Sequence, residues 1–156
     1  HLVYSTLHTN SAVATIARLF DLGLKPYVVA TALEGIIAQR LVRRLCPACR
    51  EEVAADAQLH SRLGTMFDPT RPVFRARGCD ECHGSGFRGR VGVYEILTLD
   101  DELRDRIGGG ASMLEIRRLV RSKGMQTIAH HGAELVSAGL TTAEEILRVL
   151  GPQSGD

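Results

Sequence analysis

The sequence has few aromatic residues and almost no net charge. It contains no tryptophan, three tyrosines and four phenylalanines, too few to form a platform on which single-stranded nucleic acid would stack. The formal net charge of +1 argues against nucleic-acid binding through bulk basicity. No stretch approaches the roughly 18 to 20 consecutive apolar residues of a membrane-spanning helix. With 44% hydrophobic and 24% charged residues in 156, the chain can still bury a core of ordinary domain size.

A glycine-rich loop for nucleotide phosphates, GxxxxGKS or GxxxxGKT, is also absent from the sequence. This chain alone is therefore not expected to hold the phosphates of a nucleotide. The sequence begins with His1-Leu2-Val3-Tyr4 rather than with methionine, inside a segment that is typical of a strand. We expect it to be a piece of a longer protein.

Only four cysteines are present, and they form two CxxC pairs, Cys46 with Cys49 and Cys79 with Cys82. Each pair can supply two thiolates from one tight turn, and four thiolates suit a tetrahedral Zn²⁺ ion. Because all four positions would be taken by sulfur, no position remains for a reactive water. The spacing predicts a structural zinc site.

Two other uses of these residues remain open at this stage. A thiol–disulfide pair would need an exposed cysteine with a lowered thiolate pKa. His83, next to Cys82, is a possible substitute ligand, although a loop position facing solvent is the favoured explanation because a fourth cysteine is already available. The adjacent pair His130 and His131 does not have the helical spacing of metal ligands, so no metal is expected there.

Periodicity predicts an α/β chain. A strand is expected over His1–Leu7, then a helix that begins at Asn10 or Ser11 and ends near Gly23. Pro26 opens a second helix, whose apolar face would include Val29, Leu33, Ile36 and Ile37. Two further strands are predicted, and four helices follow them, two of which begin with the spacing of a capping box at Ser112–Glu115 and Thr141–Glu144. These strands and helices are Gln39–Leu45, Val91–Leu97, Asp101–Ile107, Ser112–Ser122, Met125–Ser137 and Thr142–Leu150.

Two polar segments are candidates for a functional site. Ser5–Asn10 follows the predicted first strand, and ligands of open α/β sheets bind at the carboxyl ends of strands. His8 in this segment is placed to meet a phosphate or to orient a water, or else to make a structural hydrogen bond. In the glycine-rich run Gly84–Gly92, Arg90 lies where the chain returns to the main sheet. It is better placed than Arg88 to reach an active site or a neighbouring subunit.

Five segments of the sequence resemble, in the same order, the secretion ATPases of type II secretion and type IV pilus assembly. The four cysteines are similar to those of the assembly-type members and are lacking in retraction ATPases. The segments are His1–Asn10, Ala38–Cys49, Gly78–Cys82, Gly86–Glu95 and Gly139–Glu145.

The resemblance implies a fold and a division of the chain. Residues 1–45 would be the C-terminal part of a RecA-like P-loop ATPase domain, and 46–87 an inserted zinc-binding tetracysteine module. Residues 88–99 would return to the core as a strand, 100–151 would form a C-terminal helical region, and 152–156 a flexible tail.

The resemblance also implies site residues and partners. The histidine of the family's His box falls on His8, which would sense or position the γ-phosphate with Thr6 and Thr9 beside it. Arg90 would contact the nucleotide or a neighbouring subunit. The Walker A and Walker B motifs, which hold ATP and Mg²⁺ in the family, would precede His1, so this chain alone is expected to be inactive. The longer protein would be a cytoplasmic homo-hexamer, held at the inner membrane by a platform protein, with no specific nucleic acid.

Another class of protein remains to be weighed. A free-standing zinc-ribbon module that binds protein or nucleic acid would account for the cysteines and for the 17 arginines among 19 cations, but not for the long helical segment. Protein secretion, pilus assembly and DNA uptake are not separated by the sequence.

Overall fold

The structure, a computed structural model, describes residues 1–54 and 71–151. These residues form six α-helices, one short 3₁₀ helix and four strands, which confirms the α/β class. None of the helices in these ranges combines the length and apolar character needed to cross a membrane. The elements in chain order are α1 Ala12–Asp21, α2 Pro26–Ala32, β1 Gly35–Leu45, β2 Arg50–Val53, β3 Val73–Ala76, β4 Phe87–Thr98, α3 Asp101–Gly108, α4 Met113–Ser122, α5 Ile128–Ser137 and α6 Ala143–Leu150.

The chain folds into two compact units, each built from two separate segments. Unit 1 consists of His1–Ala38 and Glu95–Gln126, and unit 2 of Gln39–Tyr94 and Thr127–Asp156. Strands β1 and β4 pair with each other, and each passes from one unit into the other. Beyond one end of this pair, the backbone nitrogen of Leu99 donates a hydrogen bond to the carbonyl oxygen of Glu34. Beyond the other end, the backbone nitrogen of Cys46 donates to the carbonyl oxygen of Gly86, so the two strands run antiparallel.

Unit 1 buries an apolar core between its helices and the adjoining strand residues. The local signals in the sequence are confirmed here: Ser11 caps α1 by accepting a hydrogen bond from the backbone nitrogen of Ala14 (3.1 Å). Gly23 follows α1 with a φ of +88°, and Pro26 is the first residue of α2. Residues that are at most 1% exposed form the centre of this core: Ala12, Ile16, Leu103, Ile107 and Ile116.

Two predictions for unit 1 are wrong. His1–Leu7 is not a strand, and Tyr4 in this segment is 88% exposed. A strand is stable only beside another strand, and among the described residues none pairs with this segment. Ile36 and Ile37 belong to β1 rather than to α2, because helix-like spacing in a short apolar run does not exclude a strand.

Unit 2 joins the cysteine segments to the last two helices. Strand β2 pairs antiparallel with β3, in the register that places Val53 opposite Val73. Helices α5 and α6 approach closely at Gly132, where a Cβ atom would lie 3.1 Å from the side chain of Ile146. The core of unit 2 includes Val42, Val73, Val93, Val136 and Ile146.

The helical region predicted over 100–151 contributes to both units. Helices α3 and α4 belong to unit 1, whereas α5 and α6 belong to unit 2. Two of these helices begin later than predicted. Helix α5 starts at Ile128 rather than at Met125, with Thr127 as its N-cap. Helix α6 starts at Ala143, and its N-cap is Thr142 rather than Thr141. The predicted flexible tail, 152–156, lies outside the described residues, as does 55–70 of the predicted tetracysteine module.

Candidate functional site

The four cysteines converge on one point in unit 2. All four Sγ atoms lie within 4.8 Å of one another. The separations are 4.0 Å from Cys46 to Cys79, 3.8 Å from Cys49 to Cys82 and 3.8 Å from Cys79 to Cys82. A tetrahedral zinc ion with bonds of about 2.3 Å to sulfur requires sulfur separations of about 3.8 Å. The donor set therefore fits Zn²⁺, whereas a disulfide needs a sulfur separation of about 2.05 Å, and the four cysteines are free.

Each CxxC pair is shaped by its own turn. After β1, the carbonyl oxygen of Cys46 accepts hydrogen bonds from the backbone nitrogens of Cys49 and Arg50. The second pair lies on a short 3₁₀ helix, Asp80–Cys82. Gly78, which precedes it, has a φ of +96°, and a Cβ atom there would lie 2.5 Å from a backbone oxygen of the same turn. Glycine at this position lets the second turn close.

The protein environment shifts the pKa values of the Cys49 and Cys82 thiols in opposite directions. Burial raises the pKa of the Cys49 thiol to about 12. Burial also opposes ionisation of Cys82, but the backbone nitrogens of Cys79 and Gly86 each donate to its Sγ at 3.2 Å and lower its pKa to about 6. These two donors stabilise negative charge on the Cys82 sulfur, the form in which a cysteine binds a metal.

The remaining metal candidates do not join this centre. His83 is exposed, with a left-handed φ of +52°, and is not among the clustered donors that the described residues contain. His131 has a structural contact: its Nδ1 accepts a hydrogen bond from the backbone nitrogen of Tyr94 (3.0 Å), and the two rings stack.

The predicted phosphate-sensing residues lie at the start of unit 1. His8 and Thr6 are exposed, and neither is in a strand or helix. Thr9 is half-buried, and its hydroxyl is 2.7 Å from the hydroxyl of Thr15 in α1. The segment is thus anchored to the first turn of α1, and the roles of these three residues stay predictions.

Arg90 is exposed on β4, in the part of that strand that belongs to unit 2, whereas His8 belongs to unit 1. The contact assigned to Arg90 also stays a prediction.

Glu95 was not among the residues predicted from the sequence, and it supports the start of α1. This side chain in β4 is 4% exposed, and its Oε1 accepts a hydrogen bond from the backbone nitrogen of Ala12 (2.8 Å) at the start of α1. A carboxylate near a helix N-terminus is stabilised by the helix dipole. The signal was present in the sequence: Glu95 interrupts an apolar face of the strand, between Val93 and Leu97.

A second missed residue is Glu145 of α6. Its side chain is 0% exposed and forms ion pairs with Arg43 and Arg148, each at 2.7 Å. Hydrogen bonds from Arg148, and then from Arg43, outweigh the effect of burial and lower the pKa of Glu145 to about 2. The capping box expected over Thr141–Glu144 does not form, because Glu145 occupies the third helical position and turns to the arginines.

Comparisons with known proteins agree on one family. The model of the family described as "Type II/IV secretion system protein" matches residues 1–148. Type II secretion system protein E of Pseudomonas aeruginosa is 48% identical over 151 residues, which cover 96% of this chain and 30% of that protein. Type IV pilus assembly ATPase PilB of Thermus thermophilus is 41% identical over 149 residues, which cover 94% of this chain and 17% of that protein.

A solved structure has a similar fold. The crystal structure of the pilus retraction motor PilT with bound ADP matches 99% of this chain and 33% of its own, with a TM-score of 0.62 and 24% identity. At this identity the likeness shows the fold alone. The chain spans less than a third of the length of the two curated relatives.

Proposed function

Because the chain belongs to the type II/IV secretion system protein family, we propose that it is part of an ATP-hydrolysing motor that drives type II protein secretion or type IV pilus assembly. The observation that carries this proposal is the family match over residues 1–148, together with high identity to a pilus assembly ATPase. The motor would be a cytoplasmic homo-hexamer that acts at the inner membrane through a platform protein.

Nucleotide chemistry in this proposal is shared between this chain and residues outside it. The sequence lacks the phosphate-binding loop, so ATP and Mg²⁺ would be held by Walker A and Walker B residues elsewhere in the longer protein. This chain would contribute His8, with Thr6 and Thr9 beside it, toward the γ-phosphate. It would also contribute Arg90 toward the nucleotide or a neighbouring subunit. Alone, the chain would not hydrolyse ATP.

The cysteine centre has a structural part in the proposal. Cys46, Cys49, Cys79 and Cys82 would bind one Zn²⁺ ion with four thiolates. Such a closed site stabilises the fold and leaves no coordination position at which a substrate could react. It would fix the ends of β1 and β4, because Cys46 follows β1 directly and the second pair precedes β4.

The alternative, a free-standing zinc-ribbon module, is not favoured. Such a module would involve the segment around the cysteines, whereas the family match extends from His1 into α6. Helices α5 and α6 also form one unit with the cysteine segments, so these segments are not separate from the rest of the chain.

The proposal predicts a catalytic effect of His8. In a full-length family member that carries this sequence, His8→Ala is expected to lower kcat for ATP hydrolysis about 100-fold, because it removes a group that positions the reacting phosphate. His130→Ala is the matched control, since His130 is exposed on α5 and is neither a zinc ligand nor a predicted phosphate contact. Steady-state ATPase assays of the hexamer measure both variants. Wild-type kcat in the His8→Ala protein would contradict the assignment.

A further inference from the structure

The turn between α5 and α6 contacts the chain just before the first cysteine pair. This turn belongs to the segment Gly139–Glu145, which matches the family but has no role in the proposed function. The backbone nitrogen of Leu45, the residue before the first cysteine, donates to the carbonyl oxygen of Leu140 (2.9 Å). The hydroxyl of Thr141, which is fully buried, donates to the carbonyl oxygen of Arg43 (2.8 Å). Two backbone groups at the end of β1 are thus bound to one turn.

The carboxylate of Glu145 also binds the end of β1, through the backbone and the guanidinium of Arg43. Its Oε1 accepts a hydrogen bond from the backbone nitrogen of Arg43 (3.0 Å), and its Oε2 accepts from Nε (3.0 Å) and Nη2 (2.7 Å) of the same residue. Arg148 binds the carboxylate from the other side, through Nε and Nη2. A buried carboxylate with this number of donors holds the backbone and the side chain of Arg43 together.

The same turn also binds the chain just after the first cysteine pair. Arg50 follows Cys49, and its Nη1 donates to the carbonyl oxygen of Gly139 (2.7 Å). The guanidinium of Arg50 lies 4.9 Å from the centre of the Phe74 ring, and Phe74 leaves no room for a side chain on Gly139, where a Cβ atom would lie 2.7 Å from the ring. Both flanks of the first CxxC pair are therefore fixed by one turn.

We propose that Gly139–Glu145 is a clamp that holds the first CxxC pair in the geometry of a metal ligand, with Glu145 as its main positioning residue. The inference rests on the proposed zinc site. A metal ion held by two separate chain segments is released when either segment moves away. Each pair is shaped by its own turn, and the clamp additionally fixes the residues on both sides of the first pair, Leu45 and Arg50. Glu145 therefore slows zinc release without contacting the metal.

The test measures zinc release from the zinc-loaded 156-residue chain by a chromogenic chelator in excess. Glu145→Gln keeps the shape of the side chain and removes its charge. It is expected to release zinc about tenfold faster, in the range seen when residues that support metal ligands are replaced. Thr141→Val removes a single hydrogen bond of the clamp and is expected to give a smaller increase. It keeps the proposal testable if Glu145→Gln does not fold.

Two controls separate positioning from general stability. Glu34→Gln removes an ion pair with Arg104 on the surface of unit 1 and should leave the release rate unchanged. Val136→Ala weakens the buried core of unit 2 but leaves every hydrogen bond of the clamp in place. Release that is equally fast in Val136→Ala and Glu145→Gln, when urea lowers their stabilities to the same value, would overturn the proposal.

The outcomes also distinguish the clamp from the zinc site itself. A wild-type chain that binds no zinc would contradict the zinc site and the clamp together. A wild-type chain that binds one zinc ion per chain, with Glu145→Gln and Thr141→Val releasing it at the wild-type rate, would contradict the clamp alone.

Discussion

Glu95 and Glu145 are the two buried charged residues among those that the structure describes. Each accepts a hydrogen bond from a backbone nitrogen far away in the sequence, 83 residues for Glu95 and 102 for Glu145. A buried carboxylate is stable only when its lost hydration is replaced by donors. At the residue scale, these two side chains thus connect segments that the sequence keeps apart.

Glu145 should make the stability of unit 2 depend on pH in acid. Its pKa is about 2 in the folded chain, against an ordinary value of 4.5, so folding favours the ionised form. Its contribution to the free energy of unfolding is complete above about pH 4.5 and is lost as the pH falls through about 2. Glu145→Gln is expected to lower that free energy by about 2 kcal/mol at pH 7.

Urea unfolding between pH 2 and pH 7 checks this dependence. Other acids titrate in the same range, so the quantity to compare is the difference between wild type and Glu145→Gln at each pH. The difference should shrink toward acid. A difference that is constant over the whole range would show that the charge of Glu145 does not contribute.

At the scale of elements, the conformation of the turn before β4 depends more on Gly86 than on Gly84. Gly84 and Gly86 both have positive φ, +76° and +73°. A Cβ atom on Gly84 would meet nothing within 4 Å, whereas one on Gly86 would lie 2.5 Å from the side chain of Ala76. The backbone nitrogen of Gly86 also donates to Cys82.

Alanine at these two positions should therefore have unequal effects. Gly84→Ala carries only the cost of a left-handed alanine, about 1 kcal/mol in the free energy of unfolding. Gly86→Ala adds a steric clash next to the cysteine centre and is expected to cost about 3 kcal/mol or more. Chemical denaturation and zinc content measure both variants. Equal losses of stability, or full zinc content in a strongly destabilised Gly86→Ala, would contradict this account.

The sequence predicted elements well where the signal is local. Ser11, Pro26 and the capping box of Ser112 with Glu115 were confirmed, because caps form within one turn of the chain. The strand over His1–Leu7 was wrong because strands need a distant partner. Thr141 was assigned to the start of α6, but its hydroxyl donates to the carbonyl oxygen of Arg43 instead. No local sequence pattern predicts this contact.

At the scale of the whole molecule, each unit combines segments from the two halves of the chain. The cysteine centre was predictable because two matched CxxC pairs in one chain are typical of metal sites. The division of the last four helices between the units was not, since it depends on which core each apolar face joins. Likewise, the sequence shows that Glu95 lies at an inward strand position and Glu145 near the start of a helix, but it does not predict which residues they contact.

If the proposed zinc ion is bound, its removal should affect the two units differently. Chelation is expected to increase backbone hydrogen exchange in unit 2, over residues 39–54, 71–94 and 127–150, because the four thiolates hold separate segments of that unit together. The helices of unit 1 should keep the exchange rates of the zinc-loaded chain. Mass spectrometry of peptides after chelation measures both units in one sample. Uniform exchange throughout the chain would contradict a structural role that is confined to unit 2.

The pairing of β2 with β3 has a consequence for the approach of the two cysteine pairs. Arg50, which follows Cys49 directly, lies opposite Ala76, three residues before Cys79. The ladder therefore places the chain that leaves the first pair alongside the chain that leads into the second pair. Backbone hydrogen bonds thus support the approach of the two pairs independently of the proposed metal.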